Sequence, residues 1–448
     1  MTVAPARRVA LGMLARVRKQ SAFSGAVVSV ALGKASLSPA DAALATRLVY
    51  GTLSAEGVLD EALDRHLSRG VEPRVRDVLR LAAFELLFSR APAYAVVDQA
   101  VDLARGVRPQ ASGLVNAVVR KIAAEASTFP WGDPSTDRDA LARASGHPRW
   151  IVDLAITSLG ETAAREMLGS GLEPAPTYVR LDPFEADRAT AADALSAAEP
   201  EPSPPDPDCY RLGHASAVFA RPAEPHGWFP MDAAAQMAPA ALRPTPGMAV
   251  LDVGSGRGNK TVCIQAIASR HGGPAEVTAV DVHEGKVRTM RERLDRSGVP
   301  GVNALVCDAT DLAAVFGPDA FDAVLVDAPC SGLGTLRRYP EKRWRLDPGA
   351  PARMAVLQSQ LLEAASRVVR PGGVVVYSTC SVAAEENDGV VSGFLAGESG
   401  RGFRAEPLGD LIPLEWGTFR DGAGSFRSWP TSGGPDGHFV AVLRRSSE

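Results

Sequence analysis

The chain has 448 residues, of which 46% are hydrophobic and 22% are charged, a composition typical of globular protein and a length that accommodates about three domains. Its formal net charge is −4, from 48 basic and 52 acidic side chains, which excludes a protein that coats polyanions with its whole surface but allows a local basic patch. Five cysteines without a Cys-x-x-Cys pair argue against a zinc ribbon, predict no metal site and indicate a reducing compartment, the cytoplasm.

The periodicity of residues 1–130 predicts helices and no strand. Val9, Met13 and Val17 fall on one face of an amphipathic first helix, and residues 78–88 are apolar almost all round, which predicts a buried central helix. No apolar run approaches the ~20 residues that a membrane span needs. The first helix also carries basic side chains that either face phosphates or simply remain solvated. They are Arg7, Arg8, Arg16, Arg18 and Lys19.

A linker at residues 129–134 precedes a small α/β connecting region that we predict at 140–227. Its expected helices lie at 151–159, 161–170 and 189–198, and its expected strand lies at 177–181. Five prolines within residues 200–207 predict an exposed loop without regular structure, because proline fixes φ and lacks a backbone N–H.

Strands and helices alternate in residues 228–448, which predicts a doubly wound, mostly parallel sheet. Its expected strands lie at 248–253, 276–280, 303–307, 323–326 and 374–377, with a final antiparallel edge strand at 438–443. The predicted fold class is therefore an all-α amino-terminal domain followed by an α/β domain.

A glycine-rich loop follows the first of these strands and opens the next helix. Its residues are Asp252, Gly254, Ser255, Gly256, Arg257, Gly258, Asn259 and Lys260. Alternate glycines let the backbone turn sharply and approach a ligand, and Asp281, at the end of the second strand, is placed to bind ribose hydroxyls. The spacing Asp-x-Gly-x-Gly-x-Gly resembles the S-adenosylmethionine loop of class I methyltransferases, which have a Rossmann-like fold. That resemblance places Asp308 near the adenine; the alternative for Asp281 and Asp308 is a helix cap or turn.

Two cysteines follow two other strands of the predicted sheet. Cys330 stands in Asp-Ala-Pro-Cys after the run ending at Val326, and Cys380 stands in Thr-Cys-Ser after the run ending at Tyr377. Because ligands bind at the carboxyl ends of strands in open α/β sheets, we expect both thiols and Asp327 at one site. Thiolates are strong nucleophiles, so this pattern predicts covalent catalysis on an electrophilic ring or carbonyl. The alternatives are two small buried hydrophobes or a disulfide.

With the glycine loop and both cysteine stretches in this order, the chain resembles the Sun family of RNA (cytosine-5) methyltransferases. Further matching stretches are Asp232–Gln236, Arg337–Pro340, Arg343-Trp344, Glu385–Asn387 and Gly437–Ala441. The helical part resembles NusB-like domains, best at 114–120, and the combination is similar to RsmB-type ribosomal RNA enzymes. The glycine loop departs from the family's Cys-Ala-Ala-Pro-Gly-Gly-Lys, which leaves the affinity for the cofactor open.

The resemblance implies a mechanism and a set of RNA contacts. Cys380 attacks C6 of the cytosine, Cys330 assists release of the product, and Asp327 hydrogen-bonds the cytosine edge at N3. S-adenosylmethionine is the cofactor, with Asp327 also among the residues expected to bind it, and the target base is unpaired or flipped. A basic stretch after Cys330 is expected to clamp phosphates and stack on a base, with a solvated loop and a buried Trp as the alternative. Its residues are Arg337, Arg338, Lys342, Arg343 and Trp344.

The leading hypothesis is a monomeric RNA cytosine-5 methyltransferase that acts on small-subunit (16S) ribosomal RNA. The same chemistry on transfer RNA or another RNA is an alternative. A DNA cytosine methyltransferase is another, because such enzymes carry a Pro-Cys nucleophile, although the second cysteine and the helical domain disfavour it. A non-catalytic RNA-binding assembly factor is supported by the altered glycine loop alone.

Overall fold

The computed structural model describes residues 4–20, 24–89, 91–219, 227–422 and 424–447. The chain divides into two compact units, Met1–Pro174 with Leu336–Pro348, and Ala175–Thr335 with Gly349–Glu448. The connecting region predicted at 140–227 is therefore divided between the two units. Its first helices belong to the helical unit, and its strands belong to the α/β unit. Within the described ranges, no helix is long and apolar enough to cross a membrane.

The helical unit is organised around the helix Pro73–Leu87, which is buried along most of its length. This helix confirms the predicted central helix and begins earlier than expected, because proline suits the first helical turn. The other helices are Pro5–Gln20, Ser24–Lys34, Pro39–Ser54, Glu56–Asp64, Ala93–Val107, Ser112–Glu125, Arg138–Ser145, Arg149–Leu159, Glu161–Gly169 and Lys342–Arg345.

Two basic residues of the first helix are paired with acids of the central helix. Arg7 donates to Glu85, with a shortest N–O distance of 2.5 Å, and Arg18 donates to Asp77 at 2.7 Å. Both acids are almost fully buried, so the two arginines neutralise charge inside the unit. For Arg7 and Arg18, a structural role thus replaces the predicted choice between phosphate binding and solvation.

The segment Leu336–Pro348 is built into the helical unit although it follows Cys330 in sequence. Arg343 is fully buried, and its guanidinium donates to the carbonyl oxygens of Gly146, at 3.1 Å, and of Gly171. Trp344 Nε1 donates to the carbonyl of Ser54 at 2.9 Å. A Cβ added at Gly57 would lie 2.1 Å from the Trp344 ring, so this helix position admits no side chain.

A small antiparallel sheet opens the α/β unit. Its strands are β1 (Thr177–Leu181), β2 (Pro200–Pro202), β3 (Cys209–Leu212) and β4 (Trp228–Pro230), in the order β2-β3-β1-β4. The prediction that residues 200–207 lack regular structure is wrong for Pro200–Pro202. Proline is tolerated there because β2 lies at the edge of the sheet, where one side of the strand needs no ladder hydrogen bonds.

The main sheet confirms the predicted doubly wound fold. Its strands are β5 (Ala249–Val253), β6 (Glu276–Asp281), β7 (Val302–Val306), β8 (Phe321–Asp327), β9 (Val369–Thr379), β10 (Phe403–Glu406), β11 (Phe426–Arg427) and β12 (Phe439–Arg445). The order is β10-β12-β9-β8-β5-β6-β7, and the five strands from β9 to β7 are parallel. The helices of this unit are Arg188–Leu195, Ser216–Phe219, Met237–Ala241, Asn259–Arg270, Glu284–Ser297, Leu312–Phe316, Ala350–Val368 and Asp388–Ala396.

The predicted edge strand is not at the edge. β12 pairs antiparallel with β9 on one side and with β10 on the other, so β10 closes this side of the sheet. β10 was not anticipated because its four residues, half of them exposed, show no apolar run or alternation. At the centre, the strand order reverses at β5, which makes the carboxyl end of β5 the topological switch point where such sheets bind ligands.

Candidate active site

Three loops meet at the carboxyl edge of the main sheet. Val253 at the end of β5 pairs with Val326 of β8, and Asp327 at the end of β8 pairs with Ser378 of β9. The glycine-rich loop and both cysteine loops therefore start from neighbouring strands. The structure brings together the groups that the sequence placed at one site.

The glycine-rich loop takes a shape that side chains would prevent. Gly254 has φ of 75°, and a Cβ added there would lie 2.4 Å from the carbonyl oxygen of Asp327. The amides of Gly254 and Ser255 donate to the carbonyl of Val280 at 2.9 and 3.0 Å. These bonds fold the loop across the end of β6 while its first glycine rests against β8.

Asp252 is a buried carboxylic acid at the start of this loop. Its Oδ2 accepts a hydrogen bond from Thr261 Oγ1 at 2.6 Å. Burial raises the pKa of Asp252 to about 6, against the opposing effect of the Thr261 hydroxyl. Asp252 Oδ1 and the Oγ of Ser255 are buried and have no hydrogen-bond partner within the described part of the chain. The loop thus carries two polar atoms that a bound ligand can satisfy.

Asp281 at the end of β6 is an acceptor held by several donors. Its Oδ2 accepts from the amide of Gly256 at 3.1 Å and from Lys286 Nζ at 3.3 Å, and its Oδ1 accepts from the amide of His283 at 2.8 Å. Burial opposes ionisation, but the His283 amide and the Lys286 charge outweigh it and lower the pKa of Asp281. An ionised acceptor at this strand end is what ribose hydroxyls require.

The remaining predicted cofactor residues occupy more varied positions. Asp308 is exposed and accepts from the amide and hydroxyl of Thr310 at 3.0 and 2.8 Å, which is the turn role of the alternative interpretation. Asn259 begins a helix, and its Oδ1 accepts from Arg293 at 2.6 Å. Arg257 is exposed. Contacts of these three side chains to a cofactor remain predictions.

The two predicted catalytic thiols touch each other. Cys330 Sγ and Cys380 Sγ lie 2.9 Å apart without forming a disulfide, and the amide of Cys380 donates to Cys330 Sγ at 3.3 Å. Both side chains are half-buried. The hydrogen bond to Cys380, together with burial, raises the pKa of Cys330 well above its usual value. Cys330 therefore keeps its proton at neutral pH while it lies beside a second sulfur.

Asp327 is linked to the glycine-rich loop by a lysine. Lys260 Nζ lies 2.6 Å from Asp327 Oδ2. Burial disfavours the ammonium, but the Asp327 carboxylate outweighs that effect and raises the pKa of Lys260. The pair couples the cofactor loop to the carboxylate that precedes Cys330.

Sequence reasoning did not assign a role to Glu386, which is fully buried beneath the two cysteine loops. Its Oε1 accepts from the amide of Ser331 at 2.8 Å and from Gln358 Nε2 at 3.0 Å. Its Oε2 accepts from the hydroxyls of Ser331 and Ser381. Ser331 follows Cys330 and Ser381 follows Cys380, so one carboxyl group contacts both loops.

Asn387 also holds the Thr-Cys-Ser loop through hydrogen bonds. Its Oδ1 accepts from Thr379 Oγ1 at 2.6 Å, and its Nδ2 donates to the carbonyl of Ser381 at 2.9 Å. The local signal in the sequence was the polar run Glu385-Glu386-Asn387, which begins five positions after Cys380. That pattern is equally typical of an exposed helix start, so it could not reveal a buried network.

Most side chains of the predicted RNA-binding stretch are buried or hydrogen-bonded within the helical unit. Arg343 and Arg337 are buried, and Arg343 donates to backbone carbonyls of the helical unit, so the burial of both side chains argues against the predicted RNA contact. Trp344 is half-buried and hydrogen-bonded, as the alternative interpretation expected. Arg338 and Lys342 are half-exposed, and Lys342 Nζ lies 5.2 Å from the Tyr339 ring centre. An RNA role for these two residues remains a prediction.

No cluster of three or more His, Cys, Asp or Glu side chains that could hold a metal ion occurs among the residues the structure describes. The groups at the sheet edge are thus thiols, carboxylates, a lysine and backbone amides. Such a set offers hydrogen-bond partners for a ligand at the glycine-rich loop and two sulfur atoms as candidate nucleophiles beside it.

Comparisons with known proteins agree with this site. A family model described as 16S rRNA methyltransferase RsmB/F matches residues 239–444, and a NusB family model matches residues 4–124. The chain is 30% identical over 453 residues to the probable ribosomal RNA small subunit methyltransferase B of Bacillus subtilis, covering 98% of each protein. It is 34% identical to ribosomal RNA small subunit methyltransferase B of Thermus thermophilus, covering 90% of this chain and 89% of that one. The crystal structure of PH0851 has a TM-score of 0.80 at 24% identity and covers 99% of this chain and 100% of that one.

The fold and the site define a class I methyltransferase joined to a NusB-type helical domain. The chain belongs to the RsmB/F family of 16S rRNA methyltransferases, which confirms the resemblance found in its sequence. It is an RNA methyltransferase, and its cofactor is S-adenosylmethionine.

The glycine-rich loop fits this cofactor despite its departure from the usual family sequence. A Cβ added at Gly256 would meet nothing closer than 3.9 Å, so the middle of the loop faces open space. The buried Asp252 Oδ1 and Ser255 Oγ offer polar contacts, and Asp281 offers an ionised acceptor for hydroxyls. These residues would hold the adenosyl and amino-acid parts of the ligand.

Proposed function

We propose that this protein methylates C5 of one cytosine in small-subunit (16S) ribosomal RNA through a covalent bond between a cysteine and C6. The observation that carries the proposal is the contact between the sulfurs of Cys330 and Cys380 beside Asp327, at the same sheet edge as the glycine-rich loop. A methyltransferase acting on a nucleophilic nitrogen or oxygen has no need of two thiols at this position.

The chemistry explains why a thiolate is required. C5 of cytosine is a poor nucleophile, and attack of the Cys380 thiolate on C6 moves an electron pair to C5. S-adenosylmethionine supplies the methyl group as an electrophile. The C5 proton then leaves to a base and the C6–S bond breaks, which restores the ring and the thiolate. Cys330, with its sulfur 2.9 Å from that of Cys380, assists this release.

Asp327 supports the adduct by binding the base. A carboxyl group at the cytosine edge hydrogen-bonds N3 and stabilises the charge that develops during attack. Lys260, 2.6 Å from Asp327, fixes its orientation toward the glycine-rich loop. A cytosine stacked in a helix cannot enter such a site, so the target is unpaired or flipped out.

Ribosomal RNA of the small subunit is the preferred substrate because the relatives from Bacillus subtilis and Thermus thermophilus are named for it. Bisulfite sequencing of RNA from cells with and without this gene tests the proposal, with a gene encoding Cys380→Ala as the matched control. We expect one cytosine of 16S ribosomal RNA to lose its methyl mark in both defective strains. An unchanged 16S pattern together with a lost mark in transfer RNA would move the substrate, and no lost mark in any RNA would refute the cytosine-5 assignment.

A further inference from the structure

We propose that Glu386 is a positioning residue that holds the sulfurs of Cys330 and Cys380 together by bridging the two loops that carry them. The inference rests on the proposed function, because it assigns Glu386 to the thiols that act there. Glu386 acts through Ser331 and Ser381, the residues that follow the two cysteines.

The hydrogen bonds to Glu386 come from three separate elements. Ser331 belongs to the loop after β8, Ser381 to the loop after β9, and Gln358 to the helix Ala350–Val368. The carboxyl group accepts four hydrogen bonds, two on each oxygen, which uses its full acceptor capacity. The hydroxyls of Ser331 and Ser381 also lie 3.1 Å apart, so the two loops contact each other beside the carboxyl group.

The bridge acts one residue away from each thiol. Ser331 donates through both its amide and its hydroxyl, so its backbone as well as its side chain is fixed. Gln358 Nε2 also donates to the carbonyl of Pro329, at 2.9 Å, which holds the residue on the other side of Cys330. The amide of Ala383 donates to Ser381 Oγ at 3.1 Å and leaves the Ser381 hydroxyl hydrogen directed at Glu386.

The burial of Glu386 indicates why a carboxyl group stands there. Glu386 is fully buried, and a buried carboxyl group is tolerated when each of its lone pairs accepts a hydrogen bond. Removal of one partner leaves the other buried polar group unsatisfied, which destabilises the folded protein. An alanine at this position removes the acceptor of two hydroxyls and one amide, and it leaves the 3.1 Å contact between the hydroxyls of Ser331 and Ser381 as their remaining link. A glutamine keeps one carbonyl oxygen for Ser331 and Gln358 and can donate to the two hydroxyls.

Capture of the thiol pair by phenylarsine oxide measures the distance between the sulfurs without RNA or methyl transfer. The arsenical forms two As–S bonds, and the two thiol protons leave with its oxygen as water, so no oxidation occurs. We expect Glu386→Ala to weaken capture by about tenfold or more, as expected for loss of a buried hydrogen-bond network. Glu386→Gln should recover most of the affinity, and Cys330→Ala and Cys380→Ala set the background.

Glu385→Ala is the matched control, because Glu385 is the exposed neighbour of the buried Glu386. Titration of S-adenosylmethionine checks that each variant keeps its folded α/β unit. Equal capture by the wild type and Glu386→Ala, with cofactor binding retained, would overturn the inference. If Glu386→Ala does not fold, Ser381→Ala decides, because it removes one arm of the bridge. Weakened capture by Ser381→Ala would support the inference, and capture equal to that of the wild type would overturn it.

Methylation kinetics separate this inference from the proposed function. Glu386→Ala should lower kcat while the KM for S-adenosylmethionine stays unchanged, since the hydrogen bonds to the Glu386 carboxyl group come from Ser331, Ser381 and Gln358 and not from the glycine-rich loop. Absence of cytosine methylation by the wild type would refute the proposed function and leave the arsenical result standing. Normal kcat in Glu386→Ala would refute the positioning role even if cytosine methylation is established.

Discussion

Two sulfurs in contact cannot have the same role at the same moment. A thiolate next to a second thiol is stabilised by that thiol's hydrogen, and the hydrogen bond to Cys380 raises the pKa of Cys330. The pair is therefore arranged for one nucleophile and one partner. Replacement of one cysteine should have a different result from replacement of the other.

Cys380→Ala should reduce methyl transfer to the background, because the C6–S bond cannot form. Cys330→Ala should allow that bond to form but slow its release, so protein attached to RNA accumulates. A denaturing gel with labelled RNA and S-adenosylmethionine shows this species as a slow band. Normal turnover by Cys330→Ala, without the band, would contradict the two-cysteine mechanism.

Asp252 should make stability depend on pH. Its pKa is about 6 in the folded protein against an ordinary 3.8, so the folded state binds the proton more tightly than the unfolded state. The resulting stabilisation is fully present below about pH 4 and is lost as the pH rises through 6, a change on the order of 3 kcal/mol. Asp252→Asn should remove this dependence.

Urea unfolding of the wild type and Asp252→Asn at pH 4.5 and pH 7 measures the effect. The variant should gain stability relative to the wild type at the higher pH, and thermal unfolding gives an independent comparison. The same difference in free energy of unfolding at both pH values would rule out Asp252 as the source.

At the scale of elements, the glycine-rich loop allows two reasons for a glycine to be tested separately: a positive φ angle and the lack of space for a Cβ. Gly254 and Gly256 both have positive φ, 75° and 61°, so alanine strains the backbone at either position. A Cβ at Gly254 would also collide with the Asp327 carbonyl, whereas one at Gly256 meets open space. The two positions form a natural pair of test and control.

Gly254→Ala should abolish measurable binding of S-adenosylmethionine, because the loop must leave the end of β8 to relieve the collision. Gly256→Ala should weaken binding by about tenfold, from left-handed backbone strain of ~1–2 kcal/mol. Calorimetric titration of both variants gives the affinities. Equal losses would mean that the contact with Asp327 has no part in shaping the site.

Elements that are marked by a local sequence pattern, such as an apolar run, were predictable from the sequence. Positions that depend on contacts with residues far away in the chain were not. The parallel strands, the glycine-rich loop and the meeting of Cys330 with Cys380 followed from apolar runs and from the geometry of α/β sheets. The edge position of β10 depends on β12, which lies more than 30 residues later in the chain. The buried state of Glu386 and Arg343 depends on acceptors and donors from other elements, which periodicity does not encode.

At the scale of the whole molecule, the helical unit is discontinuous in sequence. Arg343 is buried there, and burial lowers its pKa to about 9, with Arg337 adding to the effect. A cation kept in such surroundings must be held by good acceptors, here the carbonyls of Gly146 and Gly171. The segment Leu336–Pro348 is thus a structural part of the unit and not an appended loop.

Arg343→Ala should destabilise the helical unit by about 2–4 kcal/mol, because it leaves a cavity and unsatisfied carbonyls. Hydrogen exchange should show lost protection in the helices that flank Gly146 and Gly171, while binding of S-adenosylmethionine to the α/β unit is retained. Arg345→Ala, at an exposed position of the same segment, is the control. Unchanged protection in Arg343→Ala, with weaker RNA binding, would restore the nucleic-acid role first predicted for this residue.

The position of this segment sets the order in which the protein can be completed during synthesis. Domains generally fold as they leave the ribosome, the amino-terminal one first. Here Arg343 and Trp344 are made only after the whole stretch Ala175–Thr335, a delay on the order of 10 s at ~5–20 residues per second. The amino-terminal helices are therefore synthesised well before Arg343 and Trp344, which complete their packing. Cys330 is also made before the helical unit can reach its final fold.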